Sequence, residues 1–311
     1  MTVVLTPIDG SELSLGAVPW AATLAGPTGT VLLLRVIPPH HAQRNAQEPS
    51  DDERAQGIQN AWASAAEAEL DEAAHSLEPT DVNVKRLVVA GEPDEEIVAA
   101  ATRHGADLIA MASRGRGAIG RAIFGSVADR VARTATMPVL IVRAATEETG
   151  TPVAIARLVV PHDGSEIAAR ALPVASELAR RLGVPVHVVR AVDPVTSLPM
   201  GRGVFGTAPM VSAEITDQIW QEAESEAKAT VADAIAHLKG EGIAASGAVL
   251  NGSPFFAIND ATRPGDLIVL TSHGRGGVRR WLLGSVAEKL VREASVPVLL
   301  VPAVERGRVT G

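Results

Sequence analysis

The sequence predicts two tandem α/β domains, each a five-stranded parallel β-sheet with helices on both faces. Three observations support this fold class. The chain has 311 residues, a length that suits about two domains. Its second half repeats the motifs of the first half. In each half, short apolar runs alternate with helical patterns. The runs show little polar alternation, as is typical of strands covered on both faces, and strand–helix alternation favours parallel pairing with right-handed crossovers.

The internal repeat is visible in several short motifs. The sequence Pro-Ile-Asp-Gly-Ser-Glu around Asp9 returns as Pro-His-Asp-Gly-Ser-Glu around Asp163. The apolar segment 137–142 returns as 296–301, again with a proline at its second position. The chain is therefore interpreted as a tandem duplication. We predict a first domain over residues 1–144, a linker over 145–155, a second domain over 156–304 and a C-terminal tail over 305–311.

Ten strands are predicted from apolar runs of four to eight residues. In the first half they are Val3–Pro7, Val31–Ile37, Val82–Val89, Leu108–Met111 and Val139–Val142. In the second half they are Leu158–Pro161, Val186–Val192, Ala245–Leu250, Leu267–Leu270 and Val298–Val301.

Helices are predicted between these runs. Ser11 and Ser165 are suited to cap a first helix after strand one. Apolar residues recur at helical spacing over 58–77 and 219–238, where they include Ile58 and the tryptophans. We interpret Trp62 and Trp220 as core or helix-face residues. The polar stretches 40–57 and 194–210 are predicted as long loops, which are either lids or disordered segments.

The composition excludes several classes of protein. With 46% hydrophobic and 21% charged residues, the chain has enough apolar surface for a globular core. Its net charge of −8 disfavours general nucleic-acid binding, because phosphate backbones would be repelled. The absence of cysteine excludes disulfides, thiolate metal sites and cysteine nucleophiles. No long apolar window and no signal-peptide pattern are present, so we expect a cytoplasmic protein without a membrane partner.

The strongest functional signal is a pair of glycine-rich connections, each after a fourth strand. In the segments 115–126 and 274–285 the first and last glycines are separated by nine residues, and each segment ends in Gly-Ser before a helical pattern. Glycine allows the backbone to approach an anion closely, and a helix N-terminus suits phosphate. The basic loop residues are Arg114, Arg116 and Arg121 in the first copy and His273, Arg275, Arg279 and Arg280 in the second. The alternative is a tight turn with a capping serine, but two copies in register favour phosphate binding.

Two better-known phosphate-binding motifs do not apply. No Gly-Lys-Ser/Thr of a Walker A loop occurs, and the literal G-x-G-x-x-G at 115–120 follows a fourth strand instead of a first. Asp9 and Asp163 each end a first strand, where a carboxylate reaches a ribose hydroxyl or a Mg²⁺-bound water, or serves as a turn or N-cap residue. His40 and His41 lack a nearby carboxylate at metal-ligand spacing. We find no catalytic triad and no paired catalytic carboxylates.

These motifs resemble the universal stress protein family in a tandem form, over about Val3–Val142 and Leu158–Pro302. The family signature is Gly, two residues, Gly, nine residues, then Gly-Ser or Gly-Thr. Ala112 and Thr271 replace the first glycine. The resemblance implies Rossmann-like, adenine nucleotide alpha hydrolase-like domains that bind ATP. The cofactor-binding residues it implies are Asp9, Val36, Met111, Ala112, Gly115, Gly125, Ser126 and Val127 in the first domain, and Asp163, Ala191, Leu270, Thr271, Gly274, Gly284, Ser285 and Val286 in the second.

The resulting expectation is a stress-response protein that binds ATP in one or both domains and acts as a nucleotide-dependent switch. Little or no hydrolysis is expected, because no general base is visible, and no catalytic residue is assigned. Mg²⁺ would enter only with ATP, and its ligands are left unassigned. A non-nucleotide scaffolding protein is the alternative, and a nucleotidyl-transfer or flavin enzyme is a third hypothesis. We expect an unidentified protein partner, and pairing of the fifth strands in an internal pseudo-dimer or a homo-oligomer.

Overall fold

The computed structural model describes residues 2–38, 49–78, 80–113, 125–143, 153–193, 213–272 and 283–303. The chain divides into two compact units, one built around Met1–Ala154 and the other around Ile155–Ala303. Both predicted five-stranded parallel sheets are confirmed, with strand ends that differ from the predicted ones by at most two residues.

The first unit is a parallel sheet with the strand order β3-β2-β1-β4-β5. Its strands are β1 (Val3–Ile8), β2 (Thr30–Ile37), β3 (Asn83–Ala90), β4 (Leu108–Ser113) and β5 (Val139–Arg143). Its described helices are α1 (Glu12–Leu15), α2 (Val18–Ala25), α3 (Pro49–His75), α4 (Pro93–Arg103) and α5 (Ser126–Thr134). Each pair of consecutive strands is joined by at least one of these helices, so every crossover is helical.

The second unit repeats this order as β8-β7-β6-β9-β10, again with parallel pairing. Its strands are β6 (Arg157–Pro161), β7 (Val186–Val192), β8 (Ala245–Asn251), β9 (Asp266–Thr271) and β10 (Val298–Val301). Its described helices are α6 (Glu166–Ala169), α7 (Ala171–Leu182), α8 (Ala213–Gly240), α9 (Pro254–Asp260) and α10 (Ser285–Glu293). At the amino ends of β6 and β9, Arg157 binds the buried carboxylate of Asp266 through two hydrogen bonds, of 3.0 and 2.5 Å.

The core lies between the sheets and their helices. Consecutive residues of β2 from Val31 to Leu34 are at most 4% exposed, and Ile109 and Ala110 of β4 are fully buried. A strand buried at every position must be covered on both faces, which explains its unbroken apolar sequence. The long helices contribute one buried stripe each. It consists of Ala66, Leu70 and Ala73 in α3, continued by Leu77 just after the helix, and of Ala227, Val231, Ala234 and Leu238 in α8.

The first predicted long loop is shorter than expected, because α3 begins at Pro49 and residues 49–57 are helical. Proline is tolerated in a first helical turn, and the acidic residues that follow favour a helix N-terminus. Ile58 and Trp62 are 46% and 43% exposed, so they lie on a helix face and not in the core. A helix of 27 residues is about 40 Å long, whereas a strand of eight residues spans about 26 Å, so α3 extends past β2.

The second predicted loop, 194–210, lies outside the described residues. Within the described part of the chain, no helix combines the length and the apolar character needed to span a membrane.

Candidate functional site

The carboxyl ends of the strands bring three of the predicted site residues of the first unit, Asp9, Val36 and Ala112, to one edge of the sheet. β1 lies between β2 and β4, so the strand order runs toward β3 on one side of β1 and toward β5 on the other. In parallel sheets, ligands bind at the carboxyl ends of the strands where the strand order reverses in this way. Ile8 pairs with Arg35, so Asp9 and Val36 follow side by side. Continued along β1 and β4, the register places Ala112 level with Ile8.

The second unit has the same arrangement. Pro161 of β6 pairs with Val189 of β7, so Asp163 and Ala191 lie level with each other beyond that pair. The β6–β9 register, continued to the carboxyl end, brings Thr271 to the same edge. In each unit, three of the predicted site residues therefore lie at the same edge of the sheet.

Asp9 lies in a tight turn with Ser11. Its carboxylate accepts hydrogen bonds from the backbone N–H of Ser11 at 3.0 Å and from the Ser11 hydroxyl. Burial raises the pKa of Asp9, but the hydrogen bonds from Ser11 and Ser14 and the charge of Arg35 outweigh it and hold the pKa below its usual value. The structure thus supplies an anionic acceptor at the end of β1, and the same residue also fills the structural role of a turn aspartate.

The corresponding turn of the second unit has the same hydrogen bonds. Asp163 accepts from the Ser165 N–H at 3.0 Å and from its hydroxyl at 2.6 Å. As predicted, Ser11 and Ser165 cap the short helices α1 and α6, because each hydroxyl accepts from a backbone N–H three residues later.

Unlike α1 and α6, the helices α5 and α10 begin without a serine cap. Gly125 and Gly284 are the N-cap residues, and no side chain caps either helix among the described residues. In α5 the first intrahelical hydrogen bond runs from Asp129 N–H to the Gly125 carbonyl, at 2.8 Å. The N–H groups of Ser126 and Val127 therefore lack an intrahelical acceptor, as do those of the equivalent residues Ser285 and Val286. The serine is the first helical residue in both copies and not the cap.

The backbone conformation at position 125 does not require a glycine. Its φ of −58° and ψ of 143° are open to any residue, and no described atom lies within 4 Å of the position that a Cβ would take. Gly284 has nearly the same angles, and its N–H donates to the Ser272 carbonyl at 2.8 Å.

Four of the remaining predicted site residues are buried. Met111 is 5% exposed, Leu270 and Thr271 are 6% exposed, and Val36 is 8% exposed. Gly115 and Gly274 lie outside the described residues, as do the basic residues of both glycine-rich loops and the pair His40–His41. In the described ranges, no group of three or more histidine, aspartate or glutamate side chains is placed to hold a metal ion.

Two ion pairs at this edge were not predicted. Arg35 Nε donates to Glu69 Oε2 at 2.6 Å, and Arg35 Nη1 donates to the Val36 carbonyl at 3.2 Å. In the second unit, Arg190 Nη2 lies 2.8 Å from Glu226 Oε1. The signal was present in the sequence, since an arginine occupies the same place in two second strands that are mainly apolar.

The comparisons with known proteins all find members of one family. The model of the universal stress protein family matches residues 1–143 and 155–302. A universal stress protein of Mycobacterium tuberculosis strain H37Rv is 27% identical over 309 residues, which cover 96% of each chain. One from Methanocaldococcus jannaschii is 30% identical over 149 residues, 47% of this chain and 81% of that protein. The crystal structure of a universal stress protein from Archaeoglobus fulgidus shares the fold with a TM-score of 0.59 and 21% identity, covering 97% of this chain and 98% of that one.

Proposed function

The chain belongs to the universal stress protein family, and on that premise we propose that one or both units bind ATP at the carboxyl ends of their strands. The observation that carries the proposal is the N-terminus of α5, which no described side chain caps and which follows Gly125, a glycine with no described atom within 4 Å of its Cβ position. Helix N–H groups without acceptors and a positive dipole end favour phosphate at this place.

Each part of the nucleotide has a suitable partner. The N–H groups of Ser126 and Val127 would hold phosphate oxygens, and the ionised carboxylate of Asp9 would accept from ribose hydroxyls. The backbone at Val36 would meet the base. Gly284, Ser285, Val286, Asp163 and Ala191 would play these parts in the second unit. Because Thr271 is buried, its larger side chain packs inside the unit and need not block the ligand.

ATP would act as a regulatory ligand and not as a substrate with rapid turnover. We assign no catalytic residue, and Mg²⁺ would enter with the phosphates. A nucleotide shifts a conformational equilibrium only by as much as its affinity differs between the two states. The regulatory surface therefore has to be one whose conformation differs between the free and the bound chain.

The test is a count of bound ATP per chain in the wild type, Gly125→Val, Gly284→Val and the double variant. Isothermal titration with Mg-ATP on the full chain gives the count, and chromatography of nucleotide released by denaturation checks it. We expect each single variant to lose one site and the double variant to lose both, because the valine side chain would fill the path of the phosphate. At a ligand concentration of 100 times Kd, ATP would also stabilise the wild type by about 2.7 kcal/mol.

Gly240→Val is the matched control, since Gly240 ends α8 with equally open surroundings. It should leave the ATP count unchanged. Normal ATP binding by the double variant would show that the site is elsewhere. No binding by the wild type would favour the scaffolding alternative, to which the replacement of the first glycine by Ala112 and Thr271 points.

A further inference from the structure

The two arginines at the ends of β2 and β7 have different partners in the two units. The buried residues Leu70 of α3 and Val231 of α8 occupy equivalent places in their helices. Glu69 precedes the first and Thr230 the second, so Thr230 is the structural counterpart of Glu69. Arg190 binds the Thr230 hydroxyl, and its acidic partner Glu226 lies one helical turn earlier.

Glu69 places a second carboxylate beside the first candidate site. Its Oε2 accepts from Arg35, whereas a Cβ on Gly10 would lie only 2.5 Å from its Oε1. Gly10 directly follows Asp9, so the Glu69 carboxylate lies against the turn that ends β1. The side chain of Glu69 is 32% exposed, so solvent screens its charge only in part.

The second unit carries less negative charge at this place. The hydroxyl of Thr230 stands where the first unit has a carboxylate, and Glu226 has a side chain that is 62% exposed, so that water screens its charge. Arg190 is itself buried, at 7% exposure, and its charge acts in a medium of lower dielectric constant.

We propose that Glu69 makes the two nucleotide sites unequal, so that the second unit binds the triphosphate more tightly than the first. The inference rests on the proposed function. Glu69 lies against Gly10, next to Asp9 at the strand edge where the nucleotide would bind. A carboxylate there disfavours a polyphosphate, and one such charge at a partly screened distance changes Kd by about tenfold. Thr230 removes this repulsion in the second unit. The larger side chain of Thr271, compared with Ala112, would by itself suggest weaker binding in the second unit. The proposed order of affinity is the opposite.

The test measures each site alone in the full chain. Gly284→Val leaves the first site, and Glu69→Gln or Glu69→Thr is added to it; Gly125→Val leaves the second site, and Thr230→Glu is added. Titration with Mg-ATP should show that the second site is tighter. Removing the Glu69 charge should strengthen ATP binding at the first site by about tenfold, and Thr230→Glu should weaken the second site by a similar factor.

Adenosine separates repulsion from a merely structural effect, because it carries no phosphate. Its affinity for the first site should not rise in Glu69→Gln. Glu226→Gln is the matched control, since it removes an acid paired with arginine in the other unit and should leave ATP binding at the first site unchanged. Thermal unfolding without ligand shows whether each variant is folded. Thr230→Glu tests the same charge in the second unit, in a chain whose Arg35–Glu69 pair is left intact.

Equal ATP affinities in the two single-site backgrounds would overturn the inference. So would a Glu69→Gln variant that binds ATP no more tightly, or one that gains equally for ATP and adenosine. In those cases ATP still binds, and the proposed function stands. Absence of ATP binding by the wild-type chain would instead overturn the proposed function itself.

Discussion

Thr6 buries a hydroxyl that has no hydrogen-bond partner among the described residues. The residue is fully buried in β1, and Val160 occupies the same place in β6 of the second unit. An unsatisfied buried polar group costs about 1–3 kcal/mol. We therefore expect Thr6→Val to raise the free energy of unfolding by about 1 kcal/mol, measured by urea denaturation. The reverse change, Val160→Thr, should lower it by a comparable amount, and a less stable Thr6→Val variant would contradict the argument.

His187 makes the stability of the second unit depend on pH. Burial lowers the pKa of His187 below its ordinary value of 6.5; nearby Arg157 and Arg263 lower it further, while Asp266 partly opposes them. Because the unfolded chain then binds the proton more readily, the contribution to stability is complete above pH 6.5 and is lost as the pH falls toward the folded pKa. Urea denaturation at pH 7 and pH 5 should show a larger loss for the wild type than for His187→Gln. Equal losses would exclude His187 as the cause.

At the scale of an element, β8 approaches α8 closely through Gly247. A Cβ at this position would lie 2.6 Å from the Val188 carbonyl oxygen and 2.6 Å from a methyl group of Val231. Real side chains do not tolerate such distances, so strand and helix would have to move apart. We expect Gly247→Ala to lower the free energy of unfolding by about 1–3 kcal/mol in urea denaturation.

Gly240→Ala provides the comparison for this prediction. No described atom lies within 4 Å of the corresponding Cβ, and alanine favours a helix, so we expect no loss of stability. If both alanine variants lost the same free energy, close packing at Gly247 would not be the reason.

At the scale of the whole molecule, duplication has kept the backbone and changed the chemistry of its contacts. In the first unit, Arg130 of α5 pairs with Asp94 of α4 at 3.3 Å. In the second unit, the equivalent Lys289 of α10 lies over the rings of Phe255 and Phe256, at 4.5 and 4.3 Å from their centroids. An ion pair and a cation–π contact thus hold the same two helices together. The different partners of Arg35 and Arg190 are a further instance of this divergence.

The type and order of the elements are predictable from the sequence, because they depend on local patterns. Apolar runs such as Leu108–Met111 locate strands, and the caps Ser11 and Ser165 locate helix starts, since both depend on residues close in the chain. Helix length was less predictable. The first turns of α3 contain no apolar stripe, so residues 49–57 were expected to form a loop.

Contacts between distant residues depend on the tertiary structure. Arg35 could be recognised as a charge in an apolar strand, but its partner Glu69 is 34 residues away, and nothing local indicates which turn of α3 faces the end of β1. The approach of Glu69 to Gly10 follows from the packing of α3 on β2, as does the exposure of Trp62. Local sequence decides which elements form, because their patterns are periodic. The packing of those elements decides which charges meet, because side chains far apart in sequence become neighbours only when helix and sheet have docked.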